Sequence, residues 1–162
     1  MALGLLVASL LSWAGLAAAA LYGHWHAATH SYALKHFNLA MPAAFLSMFS
    51  HCMTFFYFIG MAKQVKDWCA RYNLDPGIVT QLRGFRSRVS PYITAAIVLT
   101  MAATILGGGA ATTRGWLATL HGALAYAALA VNALTIYIEY RYLVANNLVV
   151  EDALRVVTGG KP

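Results

Sequence analysis

The sequence predicts an all-α integral membrane protein, a four-helix bundle with both termini in the cytoplasm. Of its 162 residues, 60% are hydrophobic and only 10% are charged, whereas a soluble domain carries about 25% charged residues. Four apolar runs approach the length of about 20 residues that a helix needs to cross a bilayer. Lysine and arginine are concentrated in alternate connections between these runs. Together these features favour a single membrane domain over a soluble class.

The first apolar run, residues 2–22, is expected to be a retained span. A secretory signal peptide is the rival interpretation, because residues 17–20 are all alanine and resemble a cleavage region. Such peptides begin with a basic segment, and none precedes this run.

The other three spans are expected near residues 42–62, 92–106 and 116–138. Pro42 suits the first turn of the second span, because proline is tolerated there. Pro91 suggests a similar new start for the third span, which glycines 107–109 would close. The second and fourth helices are expected to continue beyond the membrane.

The segment between spans two and three predicts a basic amphipathic helix. Asp75 is a candidate N-cap in the turn "NLDPG". After it, apolar residues recur at spacings of four, three and four, and arginines point in the other directions: Ile78, Leu82, Phe85, Val89 and Arg83, Arg86, Arg88. Such a helix is suited to lie on the inner leaflet. An extension of the third span is the alternative.

The distribution of basic residues predicts the orientation. Nine of the eleven lie between spans two and three or after span four, and only Lys35 and Arg114 lie in the other connections. Cytoplasmic loops carry the excess of lysine and arginine, so we expect a bacterial inner-membrane protein with both termini inside. The net charge of +6 then reflects topology and contact with anionic lipid rather than nucleic-acid binding.

Polar and small residues form a stripe along the fourth span at alternating spacings of four and three: His121, Ala125, Ala128, Asn132, Thr135, Glu139, Tyr142 and Asn146. The second span has a matching stripe: Ser47, His51, Thr54, Phe58 and Met61. In lipid, small residues permit close approach of helices and polar residues bond across them. We therefore expect His51 and His121 inside the bundle.

If the second span begins at Pro42 and the fourth at Trp116, His51 and His121 lie about 14 Å and 8 Å along their helices. At comparable depth, two imidazoles suit axial coordination of a heme b iron. In this hypothesis, Gly122 leaves room for the macrocycle, Thr54 and Phe58 lie beside it, and Arg114 pairs with a propionate. Another metal, a quinone, or purely structural hydrogen bonds between helices are the alternatives.

Two further groups carry open interpretations. Glu139 is expected near the inner interface, paired with Arg141, Lys63 or Lys66; a line of polar side chains from Glu139 to His121 that takes up protons is the alternative. His26 and His30 would be neighbours on a helix and are candidate ligands for copper or zinc.

The stretch "HCMTFFYFIG", followed by Lys63 and Lys66, and the stretch "LHGALAYAALAVNALTIYIEYRYLVANN" are similar to small bacterial four-span membrane proteins over residues 45–147. This resemblance implies no activity. The helix number and paired histidines are similar to four-helix heme b membrane subunits of respiratory complexes, such as the anchors of succinate dehydrogenase.

The sequence therefore predicts a heme-binding electron-transfer protein or subunit. Since no large catalytic domain is present, we expect it to work with other membrane subunits or as a homo-oligomer, with a quinone as a candidate partner. A non-catalytic membrane scaffold and a copper- or zinc-handling protein are the alternatives.

Overall fold

The computed structural model describes residues 2–112 and 115–159 and is all-α. Four helices follow one another: α1 (Ala2–Thr29), α2 (Ala33–Tyr72), α3 (Gly77–Thr112) and α4 (Trp116–Val157). Each is long and apolar enough to cross a membrane. The predicted fold class is confirmed at this level, and every helix extends beyond its predicted span at one or both ends.

The helices form a ring in chain order, in which each packs against its two neighbours, and α2 also approaches α4 across the diagonal. Short connections make successive helices antiparallel. One end of the bundle, here called the hairpin end, holds the α1–α2 and α3–α4 connections. The other, here called the terminal end, holds both termini and the α2–α3 connection.

The predicted start of the second helix at Pro42 is wrong, because α2 begins at Ala33 and continues through Pro42. A proline inside a helix removes one backbone hydrogen bond, a loss that membrane helices tolerate when neighbouring helices pack closely. Packing is close here: Ala43 and Ala44 are buried, and a Cβ added to Gly15 of α1 would lie 2.8 Å from the Cβ of Ala43. The observed start of α2 therefore lies nine residues before the predicted one.

Pro91 also lies inside a helix, and α3 is continuous from Gly77. The basic amphipathic segment is thus an extension of the third span, and the hypothesis of a separate helix on the leaflet is wrong. Its apolar residues complete a core cluster of Ala62, Val65, Val79, Leu82 and Val150. At its start, Oδ1 of Asp75 accepts a hydrogen bond of 2.8 Å from the amide of Gly77, as a capping residue does.

Apart from the buried Asn146, the core is apolar towards the terminal end, and it is largely polar in the middle. Next to the cluster at the terminal end lies a second apolar layer of Phe58, Val89, Ile93 and Leu143. Beyond it the largest fully buried side chains are polar, and they include His51, Asn132, Thr135 and Glu139. The predicted polar stripes of α2 and α4 do face the interior.

Candidate functional site

A buried hydrogen-bonded group joins α2 to α4 in the middle of the bundle. Nδ1 of His51 lies 2.9 Å from Oε1 of Glu139, and Nε2 of His51 lies 3.0 Å from Oδ1 of Asn132. All three side chains are at most 1% exposed. These three residues are called the buried relay below.

The orientation of the Asn132 amide determines where the protons of the relay lie. Its Nδ2 donates to the carbonyl of Ala128 at 2.8 Å and to the hydroxyl of Thr100 at 2.9 Å. Because a carbonyl only accepts, this atom must be the nitrogen. Oδ1 is therefore the acceptor, and it receives the hydroxyl of Ser47 at 2.6 Å and Nε2–H of His51.

With Nε2 of His51 protonated, one further proton lies between Nδ1 of His51 and Oε1 of Glu139. It makes the pair either imidazolium and carboxylate or imidazole and carboxylic acid. Both forms are neutral overall, so the pair avoids the large cost of a net charge in a low-dielectric interior. The geometry thus specifies a pair that shares one proton.

Some buried polar atoms have no hydrogen-bond partner among the described residues. They are Oε2 of Glu139, Oγ of Ser9, and both polar side-chain atoms of Asn146. Such atoms in a folded interior usually bind water or another group. Of the two carboxyl oxygens of Glu139, Oε1 bonds to His51 and Oε2 has no hydrogen-bond partner among the described residues.

The prediction that Glu139 pairs with Arg141, Lys63 or Lys66 near the interface is wrong. Glu139 is 0% exposed, and its partner is His51. The sequence argument assumed that the only acidic residue near a span would lie at a lipid boundary. Because α2 begins at Ala33, His51 lies far enough along this helix to be level with Glu139 on α4.

The structure does not bring His51 to His121. From the true start of α2, His51 lies 18 residues into its helix, or about 27 Å, whereas His121 lies five residues into α4, or about 8 Å. The bond from His51 to Asn132, which is eleven residues beyond His121, shows the same offset. The expectation of comparable depth is therefore corrected, because it depended on a helix start at Pro42.

The histidine that does meet His121 is His36. The centroids of the two rings lie 5.9 Å apart at an interplanar angle of 75°. His36 lies three residues into α2, or about 5 Å, so both rings are near the hairpin end. Both side chains are half-buried. His36 and His121 are called the histidine pair below.

Each ring of the histidine pair donates a hydrogen bond through Nδ1. His36 bonds to the carbonyl of Ala19 at 2.8 Å, and His121 bonds to the carbonyl of Ala103 at 2.9 Å. A carbonyl accepts only, so Nδ1 carries the proton of each neutral ring and Nε2 carries the lone pair. Within residues 2–112 and 115–159, neither Nε2 takes part in a hydrogen bond.

A glycine lies against each of these rings. A Cβ added to Gly23 would lie 3.0 Å from Cε1 and Nδ1 of His36, and a Cβ added to Gly107 would lie 2.9 Å from Cε1 of His121. Any larger residue would displace the ring. The absence of a side chain is therefore what lets each imidazole lie against the neighbouring helix.

The two hairpins repeat one arrangement. In each, a carbonyl of the first helix accepts from the histidine of the second, and the glycine follows that carbonyl by four residues: Ala19, Gly23 and His36; Ala103, Gly107 and His121. The histidine follows the carbonyl by 17 and 18 residues. The predicted spans left His36 in the connection between the first and second spans, although the matched Ala-x-x-x-Gly pattern before each histidine is visible in the sequence.

The remaining predicted site residues lie apart from the histidine pair or offer no contact. Thr54 donates to the carbonyl of Ser50, and Phe58 fills the apolar layer below the relay. Gly122 follows His121, and a Cβ there would meet nothing within 4 Å. Arg114 lies outside the described residues.

His26 and His30 do not form the predicted helical pair, because α1 ends at Thr29 and His30 has a left-handed backbone with φ of 54°. Nδ1 of His26 donates to the carbonyl of Ser31 at 2.7 Å. Among the described residues, no group of three or more histidine, cysteine or acidic side chains is arranged to hold a metal ion.

Comparison of the chain with protein-family models, curated proteins and solved structures gives no match. Functional conclusions therefore depend on the geometry of the histidine pair and the buried relay.

Proposed function

We propose that the protein is a b-type heme-binding electron-transfer protein of the bacterial inner membrane, with His36 and His121 as axial ligands. The observation that carries the proposal is the histidine pair itself. It consists of two imidazoles on diagonal helices, 5.9 Å apart, whose Nδ1 atoms are both bonded to backbone carbonyls.

The donor set suits a metal bound between the rings. A metal held by two opposed imidazoles at about 2.0–2.1 Å from each nitrogen places the ring centroids about 6 Å apart. Histidine ligands usually donate their other ring N–H to a carbonyl or carboxylate, which fixes the tautomer and the ring orientation. The ring separation of 5.9 Å and the two Nδ1–carbonyl hydrogen bonds of the protein chain match these two requirements.

Within this proposal, the chain's own residues hold and orient the iron ligands. The carbonyls of Ala19 and Ala103 make each imidazole a stronger electron donor, and axial ligation sets the reduction potential. Gly23 and Gly107 keep the rings against α1 and α3. A bound heme would supply reversible one-electron transfer at the hairpin end.

The charge distribution supports an orientation in which the hairpin end faces away from the cytoplasm. Lys63, Lys66 and most arginines lie towards the terminal end, and cytoplasmic segments carry the basic excess. Lys35 lies in the first turn of α2, at the hairpin end, and is a candidate to pair with a propionate. A redox partner, such as a quinone or another membrane subunit, would then meet the heme near the outer surface.

A copper or zinc ion is the second candidate ligand for the histidine pair. The observation that favours it is the presence of His24, His26 and His30 at the same end of the bundle, since imidazole suits both metals. A scaffold without a cofactor is the third possibility, and it predicts a protein that is colourless and free of metal.

The test is the absorption spectrum of the purified, dithionite-reduced protein, together with its metal content. We expect Soret and alpha bands in the unaltered protein, and loss of both bands in His36→Ala and His121→Ala. The matched control is His24→Ala, which removes an exposed histidine from the same end and is expected to keep both bands. His51→Asn is expected to keep them as well.

The outcomes separate the candidates. A folded, colourless protein with about one copper or zinc per chain would support the metal-handling function instead of heme binding. A folded protein without cofactor or metal would support the scaffold function. Bands that persist in both single variants of the histidine pair but vanish in His51→Asn would reverse the assignment of ligands.

A further inference from the structure

We propose that a groove between α2 and α3 binds one anionic phospholipid with a glycerol headgroup, of the phosphatidylglycerol type. The groove has a volume of about 530 Å³ and is lined by Phe55 of α2 and by Arg86, Ser87, Ser90 and Pro91 of α3. Because Ser87 and Pro91 are exposed, it opens on the outside of the bundle. None of these lining residues belongs to the histidine pair or the buried relay, so the inference does not depend on what the histidine pair binds.

The first argument is a set of polar donors without partners. Among residues 2–112 and 115–159, the guanidinium of Arg86 forms no ion pair or hydrogen bond, and the hydroxyls of Ser87 and Ser90 form no hydrogen bond. Arg86 and Ser90 are also half-buried. A guanidinium presents its N–H donors in a planar fork that matches the geometry of a phosphate group. The groove therefore offers a charged fork and two hydroxyls to one phosphate.

The second argument is the charge around the groove. α3 carries three arginines, Arg83, Arg86 and Arg88, and no acidic residue. The first acidic residue of α2 is Asp67, which lies twelve residues, or about 18 Å, beyond Phe55. This surplus of positive charge favours a lipid with a net negative charge over a zwitterionic one.

The third argument is the level of the groove along the bundle. From Ser90 to the end of α3 there is no charged residue, and Arg88 is the nearest charge before this apolar stretch. On α2, Phe55 lies eight residues, or about 12 Å, before Lys63, within a stretch without charged residues. Arg86 thus lies where the hydrocarbon-facing surface ends, and Phe55 lies on the membrane side of it. This is the depth at which a bilayer presents its phosphate groups, with the acyl chains beyond them.

The fourth argument concerns the headgroup. Because Pro91 has no backbone N–H, the carbonyl of Ser87 lacks the donor that the residue four positions later normally supplies in a helix. A carbonyl only accepts hydrogen bonds, so it suits a hydroxyl of a glycerol headgroup whose phosphate is held by Arg86. A choline headgroup has no N–H or O–H to donate.

The test is native mass spectrometry of the full chain in detergent, with added phosphatidylglycerol or phosphatidylcholine of the same acyl chains. We expect one phosphatidylglycerol per chain, bound about tenfold more tightly than phosphatidylcholine, because charge-assisted hydrogen bonds are the stronger ones. Inorganic phosphate and glycerol 1-phosphate, added at the lipid concentration, are expected not to displace the lipid, since neither makes the apolar contacts.

R86Q is expected to weaken phosphatidylglycerol binding about tenfold, because the phosphate loses its charged fork. The matched control is R83Q, which removes the same charge from an exposed arginine that does not line the groove. Its effect is expected to stay below about twofold, because a solvent-exposed charge is screened. An S87A/S90A double variant removes both hydroxyls without changing the charge and is expected to weaken binding as well. If R86Q does not fold, this variant and the preference between the two lipids decide the question.

Equal affinity for the two lipids would overturn the proposal. Equal weakening in R83Q and R86Q would also overturn it, and would leave only diffuse attraction between the arginines and anionic membranes. Displacement of the lipid by inorganic phosphate or glycerol 1-phosphate would show a site for a soluble anion instead. Each of these outcomes leaves the proposed function of the histidine pair intact.

Discussion

His51 donates through Nε2 to Oδ1 of Asn132 at 3.0 Å, and this bond ties α2 to α4 in the middle of the bundle. The same oxygen accepts from Ser47, and the same amide donates to Thr100. Asn132 therefore bonds both α2 and α3 to its own helix, and its replacement affects all of these contacts.

Asn132→Leu is expected to destabilise the protein by at least about 2 kcal/mol, because an unsatisfied buried polar group costs about 1–3 kcal/mol and three side chains, Ser47, His51 and Thr100, lose their bond. The measurement is the free energy of unfolding in detergent micelles. The matched control is Asn147→Leu, which removes the bond to Tyr57 alone and should cost less. Equal losses in the two variants would contradict the role of Asn132.

The buried pair predicts strong non-additivity. His51→Leu or Glu139→Leu alone leaves an unpaired ionisable group in the core, which typically costs about 3–5 kcal/mol. The double variant replaces both groups by apolar ones and is expected to lose less than the sum of the single losses. A full double-mutant cycle of unfolding free energies measures this, and additive losses would show that the two side chains do not depend on each other.

Asn146→Leu is expected to be neutral or stabilising. Asn146 is fully buried, and neither polar atom of its side chain has a partner among the described residues, so an apolar side chain of similar size removes a cost rather than a bond. Thermal unfolding of the purified protein tests this. A marked loss of stability would instead reveal a bound water or another group at this position.

Gly107→Ala is expected to displace the His121 ring, because the new Cβ would lie 2.9 Å from Cε1. The expected result is loss or shift of the reduced heme bands. The control is Gly108→Ala, since a Cβ at that position meets nothing within 4 Å and alanine favours the helix by about 0.5–1 kcal/mol. Identical spectra of the two variants would show that the glycine contact does not position the ligand.

The proposed orientation predicts which end of the bundle is labelled from outside the cell. In a chain with Cys52 and Cys69 replaced by alanine, Ser31→Cys lies at the hairpin end and Glu151→Cys at the terminal end, and both positions are exposed. An impermeant maleimide added to intact spheroplasts is expected to modify Ser31→Cys alone. Modification of Glu151→Cys alone would invert the proposed topology.

Composition and periodicity were enough to predict the four helices and the inward faces of α2 and α4. The polar stripe from Asn132 to Asn146 is buried as expected, because few arrangements hide polar side chains from lipid. The helix starts were harder to predict. Pro42 and Pro91 resemble first-turn prolines, yet close packing between helices allows both to lie inside one.

The error in the start of α2 also caused the error in the predicted site. With α2 placed nine residues too late, His51 appeared level with His121, and His36 appeared to lie in a loop. A longer α2 exchanges the roles of the two histidines: His36 reaches His121, and His51 reaches Glu139. The proton arrangement of the relay depends on the orientation of the Asn132 amide, which only the surrounding acceptors determine.

The matched positions of His36 and His121 also bear on assembly. Each hairpin supplies one histidine together with the carbonyl and glycine that position it, so neither hairpin alone contains the histidine pair. A cofactor bound between them would cross-link the first half of the chain to the second. Loading of the proposed cofactor would therefore follow insertion of both hairpins, and a ligand that binds only the assembled protein stabilises it by mass action.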